Sequence, residues 1–302
     1  MSLVSSSLSP RNVALLMLPP LFWAGNAIVG RLVNTMVSPL MFNFLRWLVA
    51  LIVLLPLAYP IFRRSSTLWP HWKRYTLLGL LSVGCYNSLL YLALHTSTPI
   101  NVTLVGSSMP IFMLAIGALF FQQKVRQRQL VGALLSVVGV LLVLCRGEWQ
   151  ALAELHWVPG DLLMLLATAC WSWYSWLLTQ SKDPADIRDD WAYFLGAQLA
   201  FGLAWSGAFA AGESLVAATT TTWSWPLVAA LLYVAVGPSL LAYRFWGLGV
   251  RRVGPNVAGF FVNLTPLFAA IMSALTLGDL PHAYHAAAFV LIVCGIVVSS
   301  RH

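Results

Sequence analysis

Charge is scarce in this chain. Of its 302 residues only 9% are Asp, Glu, Lys or Arg, nine residues are acidic, and 60% are hydrophobic. A soluble domain usually carries about 25% charged residues, so this chain cannot clothe itself in a charged surface. Its mean hydropathy of +0.81 places it in a bilayer. Cysteine is scarce as well: Cys85, Cys145, Cys170 and Cys294 fall singly in apolar segments. They have neither metal-ligand spacing nor the loop placement of a disulfide framework, and they read as small buried side chains. No metal site is expected. The sequence has no G-x-G-x-x-G and no P-loop, so no soluble cofactor is expected either. Chemistry inside the bilayer would call for an in-span carboxylate pair, a His/Asp cluster or a GxSxG-like nucleophile. None is found, so no catalytic residue is assigned and an enzyme is not expected.

What the chain has is long apolar runs. A spanning helix needs about 20 largely apolar residues. On that rule ten spans are expected, at 13–34, 39–62, 75–95, 99–121, 129–145, 160–180, 190–211, 226–248, 255–276 and 284–300. The runs are continuous and Leu/Ala-rich rather than alternating, which excludes a β-barrel reading. Arg11 precedes the first run, which is interrupted by Pro19-Pro20 and is too long for the core of a signal peptide.

The net charge of +8 is a matter of topology. With the N-terminus cytoplasmic, the even-numbered loops hold Arg63, Arg64, Lys73, Arg74, Lys124, Arg126, Arg128, Lys182, Arg188, Arg251 and Arg252, and the termini add Arg11 and Arg301. The opposite loops hold Arg146, with Arg31 near an outer helix end. The positive-inside rule then puts both termini in the cytoplasm, and the basic excess needs no nucleic acid to explain it.

The chain is also duplicated. The stretch 246–280 has a partner about 155 positions earlier, at 91–124. Asn101-Val102 answers Asn256-Val257, and after a one-residue slip Pro110, Phe112, Ala118 and Leu119 answer Pro266, Phe268, Ala274 and Leu275. Leu135 and Gly139 answer Leu291 and Gly295. Trp23-Ala24-Gly25-Asn26 and Trp171-Ser172-Trp173-Tyr174 sit at matching depth in the first and sixth runs. The chain thus divides into two units, 1–148 and 149–302. Five spans per unit is odd, so the second unit enters the membrane in the opposite sense, the inverted-repeat plan of many secondary transporters. The fold expected is all-α, integral to the membrane, with ten helices in two inverted five-helix repeats.

With these features in place, the residues resemble a family. Two five-helix units, the WAGN of 23–26, the FNFLRW of 42–47 and a Pro within the fourth and ninth spans resemble the EamA-type repeats of the drug/metabolite transporter superfamily. The closing helices with Gly139 and Gly295 add to the match. Aromatic richness makes the chain most similar to the aromatic amino-acid exporters of bacterial inner membranes. The family's usual Gly-Glu after those two spans stands here as Gln122-Gln123 and Gly278-Asp279. The resemblance implies a bacterial inner-membrane carrier that exports small metabolites by alternating access, amino acids and aromatic ones foremost.

The residues themselves narrow the mechanism. All nine acids lie in loops or at helix ends, so an embedded carboxylate relay is not available and facilitated diffusion is the simplest carrier. His95 offers proton coupling, or reads as a hydrogen-bonded histidine at a helix end. Arg46 lies seven residues into the second span, too deep to snorkel easily. It could pair bidentately with a substrate carboxylate or serve as a structural guanidinium. Arg244 and Arg31 read as interfacial anchors. Trp23, Tyr86, Tyr91, Trp171, Tyr174 and Trp246 lie within spans, where an N–H or O–H needs a partner. Facing a cavity and facing lipid are both open to them. Asn26, Asn87, Asn101 and Asn263 are either helix–helix ties or part of a pocket for a zwitterion with an apolar side chain. Pro110 and Pro266, with Gly106 and Gly259, are expected to kink the fourth and ninth helices and serve as hinges. The substrate-binding set is thus Trp23, Asn26, Arg46, Tyr86, Asn87, Tyr91, His95, Asn101, Trp171, Tyr174, Trp246 and Asn263. A carrier for sugars or phosphorylated metabolites is the alternative, but it would call for clustered Lys/Arg within the spans. The oligomeric state is left open, a monomer being sufficient.

Overall fold

A computed structural model describes residues 8–97, 99–148, 150, 158–180, 182–216, 221–277 and 282–300. The side chains of Ala27, Arg31, His95, Pro99, Ile100 and residues 273–277 fall outside the described set as well. Among the described residues all regular structure is helical. Ser9 caps α1 (Pro10–Leu32) by accepting from the Asn12 amide, and the helix runs unbroken through Pro19 and Pro20. The second span is α2 (Pro39–Ala58). The third is α3 (Trp72–Gly79) and α4 (Asn87–Thr96) joined by the π-helical turns Leu80–Tyr86. The fourth divides into α5 (Pro99–Gly106) and α6 (Met109–Phe120), and α7 (Gln127–Leu144) closes the first half.

The second half repeats that plan. It runs through α8 (Pro159–Leu177), a short α9 (Ala185–Asp189) and α10 (Trp191–Val216). Next come α11 (Trp225–Val234) and α12 (Ala242–Val253), joined by π-helical Ala235–Leu241. The chain then passes to α13 (Pro255–Phe261), α14 (Thr265–Leu277) and α15 (Ala283–Ser300). The two π segments begin 155 residues apart, the spacing of the sequence repeat. In each a serine hydroxyl donates to a backbone carbonyl in the helix, Ser82 to Leu78 and Ser239 to Val234, both at 2.8 Å.

Nine described segments are long and apolar enough to cross a membrane. The expected sixth span, α8, is 19 residues long but is not among them. Asp161 and its Trp, Tyr and Ser residues lower its hydropathy.

The expected kinks at Pro110 and Pro266 are breaks instead. The fourth helix stops at Gly106 and restarts at Met109, and the ninth passes through a 3-10 turn at Val262–Leu264 before Thr265. Each proline is therefore the second residue of a new helix, where its missing N–H removes no helical bond. Gly106 and Gly259 are packing positions beside these breaks. A Cβ on Gly259 would lie 2.8 Å from Met113 Cγ and 3.6 Å from Pro110 Cα, and one on Gly106 would lie 3.1 Å from Met164 Cε.

Lipid gives no hydrophobic reason for helices to associate, so close backbone packing and polar ties must do it. The most extensive helix pair is α7 with α15. A Cβ on Gly132 would meet Gly295 O at 2.7 Å, and one on Gly295 would meet Gly132 O at 2.6 Å. Between α2 and α10, Glu213 accepts from the Ser38 hydroxyl at 2.5 Å and from the amides of Leu40 and Met41 at 3.3 and 3.2 Å. One carboxylate thereby satisfies two orphan amides at the start of α2.

Arg74 forms a two-pronged pair with buried Asp183 at 2.6 and 2.8 Å. Of the cysteines, Cys145 is buried and Cys294 exposed, and Cys85 and Cys170 face each other rather than standing alone.

Candidate functional site

Arg46 is 1% exposed, although it lies in the middle third of α2. The effective penalty for taking one ion out of water is several kcal/mol even after relaxation, so its partners decide whether it can stay. All of them are neutral. Nε and Nη2 donate to Ser239 Oγ at 3.1 and 2.8 Å, and Nη1 donates to Tyr91 Oη at 2.9 Å. Nη1 also reaches Asn26 Oδ1 and Asn87 Oδ1, each at 3.3 Å. Among the described residues ion pairs join Arg74 to Asp183 and Arg188 to Asp189, and none reaches Arg46. A buried cation is thus held by hydroxyls and amides from three other spans, without a counter-ion among the described residues.

The π segments place these partners. Ser239 belongs to the second of them and Asn87 directly follows the first. Asn87 continues the network by donating to Tyr243 Oη at 3.3 Å, and the Tyr243 hydroxyl donates to Ser82 O at 2.8 Å. Asn43, one turn before Arg46, donates to Val83 O, Ser88 Oγ and Ser206 Oγ at 3.0–3.1 Å, locking α2 against α4 and α10.

Against this polar centre stands an aromatic cluster whose hub is Trp171, 1% exposed. Its ring centroid lies 4.8 Å from Tyr86, 5.1 Å from Tyr174, 5.2 Å from Tyr243, 5.3 Å from Trp23 and 5.7 Å from Trp246. The ring N–H groups of Trp23 and Trp246 are satisfied where they lie. Trp23 donates to Pro238 O at 3.3 Å and Trp246 to Ser175 Oγ at 3.1 Å. Trp23 and Trp171, matched in the two halves of the sequence, meet edge to face at 87°. The cluster joins α1 and the third-helix π segment of one half to α8 and α12 of the other.

Nine expected site residues therefore form one neighbourhood: Asn26, Arg46, Asn87 and Tyr91 around the guanidinium, and Trp23, Tyr86, Trp171, Tyr174 and Trp246 in the ring cluster. Two lie elsewhere. Asn101 donates to Asp161 Oδ2 at 3.4 Å, beside Ser97, whose hydroxyl also donates to Asp161. Asn263 donates to Ser107 O at 3.2 Å and to Ser136 Oγ at 2.8 Å, tying the break in the ninth helix to the break in the fourth. The His95 side chain lies outside the described residues. Ser239, Tyr243 and Asn43 belong to the neighbourhood without having been in the expected set. Only the repeat spacing, which aligns Ser239 with the first π segment, could have pointed to the serine.

Comparison with known proteins agrees with this architecture. A model of the EamA-like transporter family matches residues 11–145 and 158–301. An uncharacterized transporter of Archaeoglobus fulgidus is 25% identical over 290 residues, covering 95% of this chain and 96% of its own. A probable amino-acid metabolite efflux pump of Salmonella typhimurium is 25% identical over 221 residues, 70% of each chain. A solved crystal structure superposes with a TM-score of 0.73 over 95% of this chain and 96% of its own, at 20% identity.

Proposed function

Because the chain belongs to the EamA-like transporter family, we propose that it is a secondary carrier exporting amino acids across a bacterial inner membrane, aromatic ones foremost. The observation that carries this reading is Arg46. Its Nε–Nη2 edge holds a single hydroxyl oxygen, Ser239 Oγ, where a carboxylate would place two. Such fork-to-fork pairs are short and orienting. Asn26, Asn87 and Tyr91 hold the guanidinium in position, and the Trp171 cluster supplies flat faces for an aromatic side chain. In the present conformation the rings fill that space themselves, so a substrate enters as the two halves separate.

Both termini lie in the cytoplasm on the distribution of Lys and Arg. Ten spans, α8 included, divide at 148/149 into two repeats of opposite topology. The paired π segments and paired helix breaks at the 155-residue spacing support that duplication. The breaks at Pro110 and Pro266, beside Gly106 and Gly259, act as hinges for the rocking motion. No acidic residue joins the Arg46 network among the described residues, which favours facilitated exchange. The name of the Salmonella relative, a probable amino-acid metabolite efflux pump, supports the substrate class.

The test is counterflow in proteoliposomes preloaded with unlabelled phenylalanine and given trace labelled phenylalanine outside, with and without a pH gradient. Accumulation without a gradient is expected. No accumulation of any amino acid would refute the reading, and accumulation only with a gradient would refute facilitation and direct attention to His95.

A further inference from the structure

A second cluster of guanidinium groups lies apart from Arg46, where α10 packs against α12. A narrow pocket there is lined by Arg244, Arg251 and Gln198, with Trp191 and Phe194 on its wall and Tyr174 and Tyr243 at its floor. It encloses about 450 Å³ counting its open mouth. Arg188 and Asp189, paired with each other at 2.8 Å, also line it, so the lining carries a net excess of positive charge.

The two arginines pack against rings, and Asp183 and Asp189 attract Arg251 from beyond ion-pair distance. The Arg244 guanidinium carbon lies 4.5 Å from the centroid of Trp191, and that of Arg251 lies 4.3 Å from Phe194. Arg251 donates through Nη1 to Arg188 O at 3.0 Å. The Nε donors of both arginines are buried and reach no acceptor. Gln198, 1% exposed, donates through Nε2 to Phe194 O at 3.1 Å and its amide also meets the Tyr174 side chain, while its Oε1 has no donor. A buried polar atom without a partner costs about 1–3 kcal/mol, and these three belong to side chains that line the pocket, although in this conformation the atoms themselves are covered.

We infer that this pocket is a loading subsite for the charged head of a zwitterionic amino acid, Arg244 and Arg251 taking its carboxylate and Gln198 Oε1 taking an ammonium hydrogen. This rests on the amino-acid reading given above. Two unused cationic donors and one unused neutral acceptor match the two ends of that head group. The aromatic floor continues into the Trp171 cluster through Tyr174 and Tyr243, so the side chain would point toward the central site. The open volume suits a head group, and admission of the whole substrate requires the floor tyrosines to move.

The test uses the full chain with its native cysteines replaced and one cysteine placed on the pocket wall, Leu248→Cys, labelled by a water-soluble maleimide. Phenylalanine and phenylacetate are expected to slow labelling tenfold or more, and phenethylamine, which lacks the carboxylate, is not. Arg244→Gln and Arg251→Gln should each abolish protection, and Arg244→Lys should restore part of it. Gln198→Leu should reduce protection by phenylalanine and leave that by phenylacetate unchanged. Each variant is first checked for a monodisperse elution profile. Protection that survives both arginine-to-glutamine changes would overturn the inference. So would protection by glycerol phosphate at lower concentration than by phenylacetate, which would mark a lipid head-group site. Arginine-dependent protection without phenylalanine counterflow would leave the subsite standing and overturn the transport reading. Counterflow without protection would do the reverse.

Discussion

Arg46→Met removes a fully buried cation that stands among neutral partners, and the fate of each partner can be worked out from its remaining bonds. Asn26 Oδ1 keeps a donor, because the Tyr91 hydroxyl reaches it at 3.3 Å, and the Ser239 hydroxyl keeps its own bond to Val234 O. Asn87 Oδ1 loses the donor that Arg46 Nη1 supplies. One orphaned acceptor costs about 1–3 kcal/mol. Removing a buried ion returns several kcal/mol of desolvation, so the net change in stability should be small. Transport should respond very differently. Truncating one partner of a buried charge pair costs about 2–5 kcal/mol, and each 1.4 kcal/mol is tenfold, so apparent affinity for phenylalanine should fall at least ~30-fold. Phenethylamine, without the carboxylate, should be handled equally by both proteins, which separates recognition from folding. Arg46→Lys keeps the charge but loses the fork and should fall between. Counterflow half-saturation beside thermal stability in detergent measures both. Equal phenylalanine affinity in Arg46→Met and wild type would refute the reasoning. A variant that loses stability while keeping its preference for phenylalanine over phenethylamine would show the guanidinium to be structural.

Three further outcomes test the scaffold. Gly295→Val would place carbon atoms against Gly132 O, already 2.6 Å from a Cβ there; the α7–α15 pair should separate, lowering the melting temperature by several degrees in a detergent thermal-shift assay. Glu213→Ala strips acceptors from the Ser38 hydroxyl and two α2 amides and should cost about 0.5–2 kcal/mol, the range for a lost helix cap, with half-saturation for substrate unchanged. Asn263→Leu leaves Ser107 O at the helix break without its side-chain donor; it should slow counterflow at saturating substrate more than it alters half-saturation, since it touches the breaks rather than Arg46.

What the sequence discloses depends on whether a signal is local or distributed. The duplication is legible because it is carried by many positions at one spacing, and the π segments fall on it at 80 and 235. The π geometry itself is not legible, since Leu80–Tyr86 reads as ordinary apolar helix. Pro110 and Pro266 announce an interruption. Whether a proline bends a helix or opens a new one depends on the residues before it, here Ser107-Ser108 and the 262–264 turn. Arg46 stands out as a charge in an apolar run, and so do the aromatics of α8. Their convergence is tertiary, however, and Ser239 carries no sign of its role. Asn101 and Asn263 look like Asn26 and Asn87 in sequence, yet one serves Asp161 and the other the helix breaks. Arg244 and Arg251 read as interfacial and basic-loop residues because one-dimensional depth cannot show that Trp191, Phe194 and Gln198 surround them.

The proposed path of the substrate runs past Arg46 and the rings beside it. The most direct test is Ser239→Cys in a chain freed of its other cysteines, treated with an impermeant thiol reagent from each face of oriented vesicles. The Ser239 hydroxyl now occupies the guanidinium fork, so labelling from at least one face and protection by phenylalanine are expected. A cysteine at 239 that stays unreactive from both faces, or that labels at the same rate with and without phenylalanine, would contradict that placement.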